Sequence, residues 1–339
     1  MGFFSSKTDT TDKSKSIGPE IEAVLNGHSL ESILDYIARR VGHDPHMPGW
    51  TDSLRQLHRH SRDIALQVIP DFFYTSVFAP DKLTAAVWDG SFFDCVPMTQ
   101  ERGLEFLRKH LRFLDELKNF PLDKPENDPT KYYWANPQFS HVDAATYYSL
   151  IRSLKPKLVI EIGAGFSTML ATAAIDKNAV GEMLCIDPYP PAFLERLMPH
   201  PEIRREMVQN TPISVFESLE AGDILFIDGS HIVKTGSDVN HVFLRILPHI
   251  PEGVYVQIHD IALPFEYPKS WSDQMLYWNE QYLLAALLSN STKWEPLLSV
   301  YFHQKADMNP LWAFIPSLPG IFPGGGSFWM RSLHGPQLA

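Results

Sequence analysis

Leu158-Val159-Ile160-Glu161-Ile162-Gly163-Ala164-Gly165-Phe166-Ser167-Thr168 is the stretch that decides the fold. Its first five residues are apolar and largely β-branched, the pattern of a strand buried on both faces of a parallel sheet. Gly163-Ala164-Gly165 then breaks the strand, and the Ala-rich segment from Thr168 to Ile175 reads as a helix. Strand, glycine turn and helix make a nucleotide-binding element, because glycines leave backbone amides open to a ligand at a helix N-terminus. A dinucleotide fingerprint asks for a third glycine three residues after the second. Thr168 stands there instead, which disfavours a nicotinamide oxidoreductase. Glu161, two residues before the first glycine, suits a ligand with a cationic head better than a pyrophosphate.

Downstream, strands and helices alternate. Met183-Leu184-Cys185-Ile186 reads as a second strand and ends in Asp187, 22 residues after Gly165. That is close to the spacing of ~20 at which an acid meets a ribose hydroxyl in such folds. Ile203 to Gln209 is expected to be a third strand, Asp223 to Ile227 a fourth and Val254 to Ile258 a fifth, with a helix over Val239 to Leu247. The fourth strand ends in Asp228-Gly229-Ser230-His231 and the fifth in His259-Asp260. Ligands of a doubly wound sheet bind at the carboxyl ends of its strands, so these two turns face the same crevice as the glycine turn. Asp228, His259 and Asp260 offer three oxygen or nitrogen donors for a divalent cation. Imidazole moves the preference from magnesium toward manganese, iron, zinc or nickel. Without a metal, His231 or His259 is the candidate general base.

These residues resemble the class I S-adenosylmethionine-dependent methyltransferases, whose first motif is an acid followed by Gly-x-Gly. The resemblance implies a Rossmann-like α/β sheet, Glu161 near the methionine ammonium, and Gly163, Gly165 and Ser167 under the cofactor. It also implies Asp187 on the ribose and Asp228 at the edge of the cofactor site. Asp228 and His259-Asp260 resemble the metal site of catechol-type O-methyltransferases, with His259-Asp260 in place of their Asp-Asn pair. Ile258-His259-Asp260-Ile261 and Pro264-Phe265-Glu266-Tyr267-Pro268 look like a bacterial group of small-molecule methyltransferases. The implied function is methyl transfer to a small-molecule acceptor, a hydroxyl, with manganese, iron or magnesium assisting. The alternatives are a cyclase consuming the sulfonium and a metal-dependent hydroxylase on the same fold. Glu266, Tyr267 and Trp271 are candidates to line the acceptor pocket.

The rest of the chain sets bounds. Its 339 residues carry 40 acids against 29 Lys and Arg, a net charge of −11 that steers no nucleic-acid backbone toward it. No apolar run reaches the roughly 20 residues that span a bilayer. Cys95 and Cys185 are too few for a disulfide framework, so a cytoplasmic setting is expected. Residues 1–16 read as a disordered tail, whose match to a myristoylation pattern is ascribed to chance. Residues 17–130 read as a helical region serving as lid or oligomer contact, with Leu104, Leu107, Leu111 and Leu114 on one amphipathic helix. His43, His46, His58 and His60 in that region are read as surface or structural. Pro121, Pro125 and Pro129 mark the boundary to a methyltransferase domain over 131–339. The aromatic run from Tyr132 to Phe139 is either core packing or a wall over the cofactor. Leu298 to Phe302 and Leu311 to Ile315 are expected as late strands of a closing hairpin, with Pro323 to Trp329 a flexible turn and an aromatic plug.

Overall fold

In the computed structural model the strand from Leu158 to Ile162 (β1) lies at the centre of a seven-stranded sheet. The structure describes residues 32, 76–89, 96–139, 141–289, 291–306 and 324–335. The expected tail over 1–16, the histidines from His43 to His60 and the strand over Leu311 to Ile315 lie outside them. The chain divides into two compact units, Met1–Leu83 and Thr84–Ala339. The described part of the first includes a short 3-10 turn, Pro80–Lys82. The second holds the sheet.

Going along that second unit, Gln100–His110 forms α1, Leu114–Leu117 forms α2 and His141–Leu154 forms α3. After β1 come α4 (Phe166–Asn178), β2 (Glu182–Ile186), β3 (Glu202–Arg204), α5 (Ile213–Glu217) and β4 (Ile224–Ile227). A helical stretch runs from Asp238 to His249 and leads to β5 (Tyr255–Ile258). The order ends with α6 (Lys269–Asp273), α7 (Glu280–Ser289), β6 (Trp294–Ser299), α8 (Val300–Ala306) and β7 (Phe328–Ser332). The strand order is β3-β2-β1-β4-β5-β7-β6. The first five strands are parallel, and β7 enters antiparallel between β5 and β6.

Because side chains alternate across a strand, each strand feeds two cores. Val159, Cys185, Phe226 and Trp329 face one side, against Leu107, Tyr147, Leu150 and Leu170 of α1, α3 and α4. Ile160, Ile162, Leu225, Ile227 and Ile258 face the other, against Val242, Ile246, Leu284 and Leu288. Both faces are apolar, which is why these strands read as continuous hydrophobic runs. Glu161 shares the face of Val159, and that puts a carboxylate under α3 and α4.

Four expectations need correction. The third strand is only Glu202–Arg204, and Val208–Asn210 is a separate 3-10 turn. The amphipathic helix ends at His110, since Leu111 leaves helical geometry, and Leu114 opens α2. The late strand runs over Trp294–Ser299, and Val300 to Phe302 belong to a helix. Ser299 causes that switch: its Oγ accepts the backbone N–H of Phe302 at 3.2 Å, the bond of a helix N-cap. The supposed plug at Phe328-Trp329 is the start of the partner strand β7, fully buried. Among the described residues no helix is long and apolar enough to cross a membrane.

Burial holds His110, at the end of α1, and His303, on α8, down at about 4, with Lys109 and Arg112 adding to the shift at His110. Both rings stay neutral in the folded chain over a range where the unfolded imidazole, titrating near 6.5, is protonated. Their contribution is therefore present above pH ~6.5 and lost as pH falls toward 4, on the order of 3 kcal/mol per ring. Urea denaturation should show stability falling over that window, and His110→Gln should make the fall shallower.

Candidate active site

The glycine turn stands on Glu161. The Gly165 N–H donates to Thr168 Oγ1 at 2.9 Å, and that hydroxyl donates to Glu161 Oε2 at 2.5 Å. The Tyr147 hydroxyl, from α3, donates to Glu161 Oε1 at 2.9 Å. Glu161 has no exposure, and burial pushes it up to about 8 although the hydroxyls of Thr168, Tyr147 and Ser167 work the other way. The carboxylate that was expected to face a cationic ligand is thus occupied beneath the turn, holding its shape. Thr168, which the sequence offered only as a missing glycine, is the relay.

Gly163 and Gly165 have different tasks. Gly163 takes a φ of +85°, and a Cβ there would collide with the carbonyl oxygen of Asp228. Gly165 caps α4, and a Cβ there would meet nothing within 4 Å. One glycine brings two strand-end turns together; the other leaves open space at a helix N-terminus. Asp187 spans the turn from the β2 side, accepting the N–H of Ala164 at 3.0 Å and that of Tyr189 at 2.7 Å. Burial raises its pKa, and those two amides oppose the rise. Ser167 lies buried in the first turn of α4.

Beside this turn lie the ends of β4 and β5. Asp228, His259 and Asp260 bring one donor atom each to within 4.8 Å of one another. Asp260 sits at φ +57° and His231 at φ +60°, left-handed conformations that cost a residue with a side chain roughly 1 kcal/mol or more. His259 is 5% exposed, with its ring against Phe139 and Phe226. Its Nε2 lies 3.2 Å from Asp143 Oδ2. Its Nδ1 forms no hydrogen bond and faces Asp260 Oδ1 at 3.4 Å and Asp228 Oδ1 at 3.8 Å.

His231 is held differently. Its Nδ1 meets Glu280 Oε2 at 3.0 Å, its Nε2 meets Asp228 Oδ1 at 3.2 Å, and its ring lies 4.4 Å from that of Trp278. Burial lowers the pKa of this imidazole, but Asp228 and Glu280 outweigh that and hold it at about 10. Asp228 in turn is held near 2 by His259 and His231, against the effect of its partial withdrawal from water. The loop is braced by Asp238, which accepts from both the N–H and the hydroxyl of Ser230. Four carboxylates (Asp143, Asp228, Asp260 and Glu280) therefore surround two imidazoles, an excess of negative charge even with both rings protonated.

Asp143, Tyr147 and Glu280 carry no motif, so sequence reasoning missed them. Asp143 and Tyr147 lie one turn apart in the lead-in helix α3, and an acid buried among apolar residues was the available signal. The glycines before β7 were misread as a flexible turn. Gly325 lies on the Asp143 carboxylate, and a Cβ on Gly326 would come within 2.8 Å of the Asp260 backbone, so this run is a close-packed wedge. Tyr132 and Trp134 pack in the core, while Tyr133 meets Phe166 beside the glycine turn. Tyr267 and Trp271 pack on Trp278, adjoining His231. The two glycines make separable predictions for stability. Gly163→Ala should cost about 2–4 kcal/mol in denaturant unfolding, from backbone strain and overlap. Gly165→Ala should stay within about 1 kcal/mol of the parent.

Comparison with known proteins bears on this region. Residues 160–261 match the family model described as a methyltransferase domain. An uncharacterized protein of Archaeoglobus fulgidus is 32% identical over 120 residues, which is 33% of this chain and 54% of that protein. The chain thus spans about half the length of the curated relative it matches. Among solved structures, the O-methyltransferase TomG from Streptomyces achromogenes, involved in tomaymycin synthesis and solved with S-adenosylmethionine, is 13% identical. It aligns over 71% of this chain and 92% of its own at a TM-score of 0.35. An O-methyltransferase from Bacillus cereus is also 13% identical, over 75% of this chain and 100% of its own, at 0.32. These structural likenesses are weak, and the family match identifies the segment. It begins inside β1 and ends just beyond Asp260, enclosing the glycine turn, Asp187, Asp228 and His259: over residues 160–261 the chain matches a methyltransferase domain.

Proposed function

We propose that the protein transfers the methyl group of S-adenosylmethionine to a hydroxyl of a small-molecule acceptor, with a divalent cation held by Asp228, His259 and Asp260. The observation that carries the reading is His259 Nδ1, buried and converging with the Asp260 and Asp228 carboxylates beside the glycine turn. A cation there would take that nitrogen and both carboxylates as ligands and offset the excess negative charge. The family match supports the cofactor half of the reading.

In this reading Gly163, Gly165 and Ser167 form the floor under the cofactor, and Asp187 accepts from the ribose hydroxyls. Glu161 acts through Thr168, keeping the turn in shape. The bound cation supplies a Lewis acid that lowers the pKa of the acceptor hydroxyl. His259 and the two aspartates set where that hydroxyl lies, so that its oxygen can line up with the sulfonium methyl. His231 has both nitrogens engaged by carboxylates, so it orients Asp228 and is not the proton acceptor. The aromatic cluster of Tyr267, Trp271 and Trp278 backs the acceptor side.

Calorimetry and turnover test this directly. Gly165→Val and Asp187→Ala should each weaken S-adenosylmethionine binding, Asp187→Ala by about 1.5–3 kcal/mol, the range for a charged hydrogen bond. Asp260→Ala should abolish turnover and leave cofactor affinity in place. Chelation should stop the reaction, and added manganese, iron or magnesium should restore it. The product should be S-adenosylhomocysteine; release of methylthioadenosine would instead mark cyclisation. Unchanged cofactor affinity in both turn variants would remove the cofactor assignment. Turnover indifferent to chelator, with no metal by elemental analysis, would remove the cation.

A further inference from the structure

We infer that Asp143 decides which nitrogen His259 presents to the cation, making the centre one for a transition metal in preference to magnesium. The inference rests on the cation reading above and adds a positioning residue to it.

The Asp143 carboxylate is 4% exposed and surrounded by donors. Its Oδ2 accepts the N–H of Gly326 at 2.9 Å and its Oδ1 that of Ser327 at 3.0 Å. An ionised carboxylate can only accept, so the hydrogen between Asp143 and His259 belongs to Nε2. With Nε2 tied to Asp143, Nδ1 is the nitrogen a metal would take, displacing any proton there, and Nδ1 is the atom facing Asp228 and Asp260. Phe139 and Phe226 flank the ring. A ring flip would put Cε1 in place of Nε2 and Cδ2 in place of Nδ1, giving up the Asp143 contact. A carboxylate on the far nitrogen of a metal-binding histidine sets its tautomer and raises its basicity, and its loss typically costs 10–100-fold in metal affinity. Magnesium gains little from such a nitrogen, since it prefers oxygen donors and its own waters.

The same carboxylate ties α3 to the glycine run entering β7, so a purely structural role is the competing account. Two measurements on the full-length protein separate them. In the zinc-loaded wild type, long-range nitrogen NMR of labelled histidine should show His259 bound to zinc through Nδ1, with hydrogen on Nε2. This needs no variant. Coordination through Nε2 would overturn the inference whatever the variants do.

The second measurement titrates zinc, cobalt and magnesium into wild type and Asp143→Asn. Zinc and cobalt should bind the wild type far more tightly than magnesium. Asp143→Asn should weaken zinc and cobalt about 10–100-fold and change magnesium and S-adenosylmethionine affinity by no more than about two-fold. Equal weakening for all three metals and for the cofactor would mean that Asp143 serves only the fold. An unchanged zinc affinity would also overturn its positioning role while leaving the cation reading standing. A wild type that binds none of the metals would overturn the cation reading, and the inference with it.

Discussion

A carboxylate with no access to water, Glu161, is the constraint on which the site depends. Placing it in the middle of a parallel sheet is costly, and burial shows the cost by raising its pKa to about 8. The arrangement persists because Tyr147 and Thr168 each bring a hydroxyl to one oxygen. Thr168 passes the bond on to the Gly165 amide, so the shape of the glycine turn is set from below. Gly163 completes the arrangement on the other side, where its missing Cβ lets the turn press against the Asp228 carbonyl. The glycine turn and the end of β4 are thereby held as one piece.

The lead-in helix extends that logic to β5. Asp143 and Tyr147, one turn apart on α3, reach His259 and Glu161. One helix thus fixes both the glycine turn, through Glu161, and the ring of His259. Phe139, just before the helix, packs against both Tyr147 and His259. The crevice residues of β1, β4 and β5 do not depend on flexible loops for their geometry. They depend on buried polar contacts, which are strong where water is excluded and expensive to leave unmade.

At the strand ends the chain accepts strain. His231 and Asp260 adopt left-handed backbone conformations without being glycine, and they flank Asp228 and His259. The Asn279 N–H donates to the carbonyl of His231, and the residue after Asp260, Ile261, donates its N–H to the carbonyl of Gly326. Strain of this kind is retained where the surroundings over-determine it, and here it turns a carboxylate and an imidazole toward one point. The wedge of Gly325 and Gly326 lies directly behind that point, against Asp143 and Asp260.

The strands of the parallel sheet were legible in the sequence because they are buried on both faces, and a short β-branched run closed by glycine, such as Leu158 to Ile162, reads as such a strand. The strand-end residues followed from them, since a parallel sheet puts the carboxyl ends of its strands at one edge. Asp187, Asp228, His259 and Asp260 could therefore be listed together before any coordinates. Glu161 was legible as a residue but not in its contacts, because which oxygen a buried carboxylate shares with which hydroxyl depends on how α3 and α4 pack. Asp143 and Glu280 were invisible for the same reason: they lie 116 residues from His259 and 49 from His231, and no local pattern records such a pairing. The late hairpin was misplaced because Ser299 can end a strand and cap a helix with the same hydroxyl. The sequence by itself determined the sheet and the residues at its edge, through the period and apolarity of its strands. Only the tertiary structure decided which of those residues meet which, and which nitrogen of His259 faces the two aspartates, because partnership between distant segments is settled by packing.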